Sequence, residues 1–131
     1  MLNSWKIKVL IENVISLFNY QISSGIYYWI QRNYGGLKKI NPIGRLKTGI
    51  SLWNRINNLN VDPKNKIFFE VGTGSMPLVP LALWLLGAKQ IISCDLYPIL
   101  KKDLIDEYLL FIRKNQREVK ALFGNNLKKE R

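Results

Sequence analysis

The pattern of apolar and polar positions is most informative between residues 66 and 100. Residues 67–71 (IFFEV) are rich in aromatic and β-branched types, which predicts a buried strand, and residues 90–94 (QIISC) predict a second strand. Between them lies an uncharged apolar segment from Pro77 to Gly87. This segment is far shorter than the ~20 residues that a membrane-spanning helix needs, so we expect a core helix that packs on the sheet and ends at the glycine.

Helical periodicity is found on both sides of this unit. Residues 4–31 predict one or two helices, with a break at Ser23–Gly25. Asn41-Pro42 predicts a helix start, with the asparagine as N-cap and the proline at the first helical position. Beyond the second strand, Pro98 is expected to start a long amphipathic helix that is broken near Asn115.

Candidate chemistry is concentrated where the two strands end. Glycines at positions 72 and 74 let the backbone turn sharply and let a ligand approach it, because no Cβ intervenes. The helix start that follows presents unpaired N–H groups to a polar or anionic ligand. Asp95 comes directly after the second strand, where a carboxylate accepts hydrogen bonds from ribose hydroxyls. This order of elements predicts the first half of a nucleotide-binding α/β unit.

Two other interpretations of the glycine turn stay open. A dinucleotide site requires the fingerprint G-x-G-x-x-G/A, whose third position is Pro77 here. Proline supplies neither the close helix–strand packing nor the free N–H of that position. A purely structural turn is the other interpretation, with Glu70 and Asp95 merely solvated, since any tight strand–helix turn can use glycine.

Two stretches of this unit resemble one enzyme family. Residues 70–75 (EVGTGS) and 93–98 (SCDLYP) look like the corresponding motifs of class I S-adenosylmethionine (SAM)-dependent methyltransferases. In that family an acid-x-Gly-x-Gly motif ends the first strand, and its loop holds the methionine part of SAM. The sequence departs from the family at Met76, where a third glycine is usual.

The resemblance implies roles for individual residues in binding the cofactor SAM. Glu70 matches the acid that faces the amino acid end of the cofactor, and Asp95 matches the acid that binds the ribose hydroxyls. The glycine loop and the residue after Asp95 complete the predicted site. The predicted cofactor-binding residues are Glu70, Gly72, Thr73, Gly74, Asp95 and Leu96.

The resemblance also implies the fold class, α/β with a partial Rossmann-like methyltransferase fold preceded by N-terminal helices. Residues 1–60 are the predicted helical segment, and residues 61–131 the predicted first half of the SAM-binding domain (β-α-β-α). The family has a seven-stranded sheet, and its substrate and catalytic residues usually follow the fourth strand. We therefore expect a truncated methyltransferase, active if missing strands or a partner complete it. The methyl acceptor, a small molecule or a macromolecule, and the catalytic residues are not assigned.

Composition adds a second candidate function. The chain of 131 residues carries a formal net charge of +11, with ten Lys and Arg residues but only two acidic ones in residues 1–66. The basic N-terminal helices therefore suggest a non-catalytic module that binds a membrane surface or nucleic acid. An AT-biased genome would produce the same excess of lysine without selection for binding.

Histidine and cysteine usage excludes several kinds of site. The chain has no histidine, which rules out zinc sites of the Cys/His kind and His-based catalytic triads within it. Its single cysteine, Cys94, excludes an internal disulfide and fits a reducing compartment such as the cytoplasm. Because Cys94 lies in a predicted strand, we expect a buried thiol.

Overall fold

The computed structural model divides the chain into two compact units, residues 1–40 and residues 41–131. The described residues are 6, 9–10, 13–15, 17–38, 41–96 and 98–127. Parts of the predicted first helix, Trp5 among them, lie outside the described residues, as does Tyr97. The predicted helical segment 1–60 is shared between the two units.

In the first unit, helix α1 spans Tyr20–Asn33. Asn19 is its N-cap, and the side-chain Oδ1 of Asn19 accepts a hydrogen bond from the backbone N–H of Ile22 at 3.1 Å. The predicted break at Ser23–Gly25 is wrong, because the helix runs through these residues. The Ser23 hydroxyl donates back to the Asn19 carbonyl at 3.0 Å, so the side chain is satisfied inside the helix.

The second unit begins with helix α2, which spans Pro42–Asn58. The predicted start is confirmed, because Oδ1 of Asn41 accepts a hydrogen bond from the backbone N–H of Gly44 at 2.9 Å and Pro42 lies in the first turn. Leu46 and Trp53 on one face of the helix are buried. This face therefore contributes to the core of the unit.

The further elements of this unit follow along the described chain. They are strand β1 (Ile67–Val71), helix α3 (Leu78–Leu86), strand β2 (Gln90–Cys94), helix α4 (Lys102–Lys114), helix α5 (Gln116–Phe123) and a 3-10 turn (Gly124–Asn126). The two strands pair in parallel, with α3 in the connection between them. The architecture is thus mixed α/β, a two-stranded parallel sheet with flanking helices, and the predicted bounds of both strands are confirmed.

The two faces of the sheet have different surroundings. On one face Phe68 stacks on Trp53 of α2, with ring centroids 6.2 Å apart. On the other face Ile67, Phe69 and Val71 are 56%, 68% and 75% exposed. The prediction of a buried strand is therefore wrong for this second face, which no other described element of the second unit covers. We call it the bare face, and it also carries Ile92 of β2.

Cys94 lies at the end of β2, where it pairs with Val71 on the bare face. Its thiol is free and exposed. The expectation of a buried thiol is therefore wrong, because membership of a strand buries a side chain only on a face that another element covers.

Helix α3 is a core helix, as predicted, but it packs chiefly against α2 rather than against the sheet. Its buried side chains include Leu78, Ala82, Leu83 and Leu86. The two helices approach closely at Gly49 of α2, where an added Cβ would lie 2.6 Å from the Cβ of Ala82. Gly87 ends the helix with φ of 117°, which confirms the predicted glycine cap.

Helix α4 begins later than predicted. Residues 98–100 are irregular and Lys101 is extended, with φ of −108° and ψ of 146°, so the helix does not start at Pro98. Proline permits a helix start but fixes only its own φ, and does not impose one. The predicted break near Asn115 is confirmed, because α4 ends and α5 begins there. None of the described helices has the length and apolar character needed to cross a membrane.

Candidate functional site

The predicted site residues lie at the carboxyl ends of β1 and β2, which the parallel pairing brings to the same edge of the sheet. The backbone N–H of Gly72 donates to the carbonyl of Cys94 at 2.8 Å, one residue beyond the last strand pair. This bond extends the ladder into the glycine loop, which we define as residues 72–76. As a result, the loop leaves β1 directly beside Asp95.

Two glycines give this loop its shape. Gly72 has φ of +80° and Gly74 has φ of +67°, in the left-handed region that other L-residues rarely adopt. A Cβ built on either glycine meets no atom within 4 Å. The glycines are therefore required by backbone conformation, and the space beside them is open to a ligand.

Asp95 is joined to the glycine loop by one strong hydrogen bond. Its Oδ2 accepts from the backbone N–H of Gly74 at 2.7 Å, across 21 residues of sequence. The exposed carboxylate therefore lies next to the loop, where it can accept hydrogen bonds from the hydroxyl groups of a ligand.

Glu70 is held by two hydroxyl groups at the same edge. Its Oε2 accepts a hydrogen bond from Oγ1 of Thr73 at 2.6 Å and another from Oγ of Ser93 at 3.0 Å. The structure thus places Glu70 and Thr73 together, and it adds Ser93, which the sequence analysis did not include in the site. The sequence did contain a signal for Ser93. Glu70 lies two residues before Gly72, and Ser93 lies two residues before Asp95, so the two occupy equivalent positions in their strands. Parallel pairing sets them opposite each other.

An open cleft of about 410 Å³ lies against these groups. This volume falls in the range of about 300–1,000 Å³ that is typical of small-molecule sites. Its polar side is formed by the loop and the end of β2, and its apolar side by Leu96, Ile99 and Leu100. Four of the six predicted cofactor-binding residues line it: Thr73, Gly74, Asp95 and Leu96. Glu70 reaches two of the lining residues, Thr73 and Ser93, through its hydrogen bonds, and Gly72 precedes Thr73 in the loop.

The loop is supported from the side of α4. The hydroxyl group of Tyr108, a buried residue of that helix, donates to the backbone carbonyl of Ser75 at 3.1 Å. Because the rest of the Tyr108 ring packs in the core, this bond ties the loop to a fixed part of the unit. The amphipathic pattern of this helix does not by itself predict the contact.

The N-terminus of α3 follows the loop but offers few donors. Pro77 is its N-cap and Pro80 its third residue, and neither has a backbone N–H. Leu78 and Val79 supply the remaining N–H groups of the first turn. Helix N-termini bind phosphate through several such groups, so this one is poorly suited to a pyrophosphate.

Comparisons with protein-family models, curated proteins and solved structures found no match to this chain. The geometry of the cleft and the residues that form it are therefore the basis for a proposed function.

Proposed function

We propose that residues 61–131 bind S-adenosylmethionine as the first half of a Rossmann-like methyltransferase domain. The observation that carries the proposal is the pair of carboxylates at adjoining strand ends, Glu70 held by two hydroxyls and Asp95 held over the glycine loop. SAM presents an ammonium group and a ribose diol, and both are hydrogen-bond donors that carboxylates accept. The open backbone at Gly72 and Gly74 leaves room for the chain that joins these two groups.

Charge favours SAM over a dinucleotide at this cleft. Two carboxylates, Glu70 and Asp95, repel a pyrophosphate, whereas they attract the cationic ammonium and sulfonium groups of SAM. The two prolines at the start of α3 also remove N–H groups that a pyrophosphate would use. Both features support a cofactor without phosphate.

Methyl transfer itself requires more than this cleft. Transfer from a sulfonium depends mainly on in-line positioning of the nucleophile, so the acceptor must be held against the cofactor. A two-stranded sheet with a bare face is a marginal structure, which further strands normally extend. We propose that such strands, from the rest of a longer protein or from a partner, supply the acceptor site.

Calorimetric titration with SAM of the unsubstituted chain and of the Asp95→Asn variant tests the proposal. Asparagine keeps an oxygen that accepts the Gly74 N–H but loses the negative charge that a ribose diol contacts. Hydrogen bonds to charged groups contribute about 1.5–3 kcal/mol, so we expect the Kd for SAM to rise about 10- to 100-fold. NAD should give no saturable binding to the unsubstituted chain.

Asp62→Asn is the matched control. Asp62 is also an exposed aspartate whose carboxylate accepts a backbone N–H, that of Lys64 at 3.0 Å, but it precedes the opposite end of β1. We expect this variant to bind SAM as the unsubstituted chain does. A folded chain that shows no saturable SAM binding, or an Asp95→Asn variant that binds SAM equally well, would disprove the proposed site.

A second candidate function, binding to an anionic membrane surface, is favoured by one feature of α1. Ile22, Ile26 and Trp29 follow helical spacing and are 50%, 36% and 58% exposed, which gives the helix an apolar stripe. Sedimentation with vesicles containing phosphatidylserine tests it, and Trp29→Ser should reduce binding. Asp95→Asn should not, so the two functions are separable.

A further inference from the structure

One oxygen of the Glu70 carboxylate accepts hydrogen bonds from two hydroxyl groups. The bonds from Thr73 and Ser93 both end on Oε2, at 2.6 and 3.0 Å. Hydrogen bonds to an ionised acceptor are stronger than neutral ones, so two on the same atom restrain the rotation of the carboxylate. Among the described residues no comparable bond is made to Oε1. Oε1 therefore keeps the capacity to accept a further hydrogen bond.

The two hydroxyls come from different parts of the unit. Thr73 lies in the glycine loop, three residues after Glu70, whereas Ser93 lies on β2 directly opposite Glu70. Ser93 is also two residues before Asp95. Its bond therefore links the Glu70 side chain to the strand that carries the second carboxylate, and so helps to set the distance between the two.

We infer that Ser93 is a positioning residue, which orients Glu70 so that Oε1 receives the ammonium group of the ligand. This inference rests on the proposed function, because SAM and its product S-adenosylhomocysteine carry that group. In this role Ser93 acts through Glu70 and therefore matters for ligands with the amino acid end. A ligand limited to the adenosine and sulfur part uses the Asp95 side of the cleft alone.

Two probe ligands distinguish these cases with the full chain. S-adenosylhomocysteine contains the amino acid end, and 5′-methylthioadenosine has the same adenosine and a neutral sulfur but lacks it. For Ser93→Ala we expect the Kd for S-adenosylhomocysteine to rise about fivefold to tenfold, as for the loss of one ordinary hydrogen bond. The Kd for 5′-methylthioadenosine should stay unchanged.

Three variants serve as controls. Ser93→Thr keeps the hydroxyl and should restore tight binding of S-adenosylhomocysteine. Ser51→Ala removes an exposed hydroxyl from α2 and should change neither Kd. In Glu70→Gln the affinity for S-adenosylhomocysteine should already be reduced, and adding Ser93→Ala should then cause little further loss, because the two residues act as one unit.

The outcomes separate the inference from the proposed function. A folded, unsubstituted chain that binds neither S-adenosylhomocysteine nor SAM contradicts the proposed function and with it the inference. Binding that Ser93→Ala weakens equally for both probes, or for neither, overturns the inference alone. If 5′-methylthioadenosine binds too weakly to titrate, the combined variant decides, and additive losses from Glu70→Gln and Ser93→Ala overturn the inference.

Discussion

Gly74 contributes two separate things to the candidate site, a positive φ and a backbone N–H. The first turns the loop so that the second points to Oδ2 of Asp95. The N–H is common to all residues except proline, whereas glycine adopts this conformation at less cost than residues that carry a Cβ. At the residue scale, the site therefore depends on the absence of a Cβ at Gly74 as much as on the carboxylates of Asp95 and Glu70.

Substitution of Gly74 by alanine separates these contributions. An L-residue in the left-handed region costs roughly 1–2 kcal/mol, and here no clash adds to it because the added Cβ meets no atom within 4 Å. We expect Gly74→Ala to lower the free energy of unfolding by about that amount in urea titrations. Gly36→Ala is the control, since the atom nearest its added Cβ is 3.9 Å away and its φ is ordinary. Equal stability of the two variants would show that the loop does not require the positive φ.

At the scale of elements, α2 and α3 approach each other closely at Gly49. An added Cβ at Gly49 would lie 2.6 Å from the Ala82 Cβ and 3.0 Å from the backbone oxygen of Val79. The backbone atom cannot move without shifting α3, and α3 carries the glycine loop at its N-terminus. The position of the loop thus depends on a small residue that does not line the cleft.

The Gly49→Ala variant shows whether the cost of overpacking this contact exceeds the gain from the higher helix propensity of alanine. Alanine is preferred over glycine in a helix by about 1 kcal/mol, whereas overpacking of a close contact costs about 1–3 kcal/mol. We expect a net loss of stability in Gly49→Ala, measured by thermal unfolding. Gly25→Ala, inside α1 where an added Cβ meets no atom within 4 Å, should instead be neutral or stabilising. A stabilised Gly49→Ala variant would contradict the close packing of α2 on α3.

The same elements show what sequence alone predicts. Local signals were sufficient where a side chain or backbone angle acts within a few residues, as at the Asn41 cap and the Gly87 cap. They failed at Ser23–Gly25 and at Pro98, where the residue types permit either outcome. The Ser23 hydroxyl is satisfied inside α1 by the Asn19 carbonyl, whereas extended backbone at Lys101 delays the start of α4. Ser93 was missed for a related reason, since its role appears only when the strand register is combined with the motif.

At the scale of the whole molecule, burial was the least predictable property. The strand residues Phe68 and Phe69 are of the same type, yet one stacks on Trp53 and the other is 68% exposed. Alternation in a strand sets which side chains share a face, but not whether another element covers that face. Parallel sheets are normally covered on both faces, whereas the bare face leaves apolar side chains exposed beside the other described elements of the second unit.

We expect this face to make the chain self-associate, and the effect to increase with salt. The side chains of Ile67, Phe69, Val71 and Ile92 form an exposed apolar patch, which favours association. The net charge of +11 opposes it until added salt screens the repulsion. Sedimentation equilibrium over a range of protein and salt concentrations measures both effects.

Phe69→Lys should reduce this self-association, because it places a charge at the centre of the bare face while leaving the pairing of β1 with β2 intact. Ser51→Lys adds the same charge at an exposed position of α2 and should associate almost as the unsubstituted chain does at high salt, where the extra repulsion is screened.

If the two variants associate equally at high salt, total charge rather than the bare face controls association. If the unsubstituted chain stays monomeric at high salt, the exposed patch is too small to drive association. In either case, the strands proposed to complete the sheet would have to be recognised through the backbone edges of β1 and β2 instead.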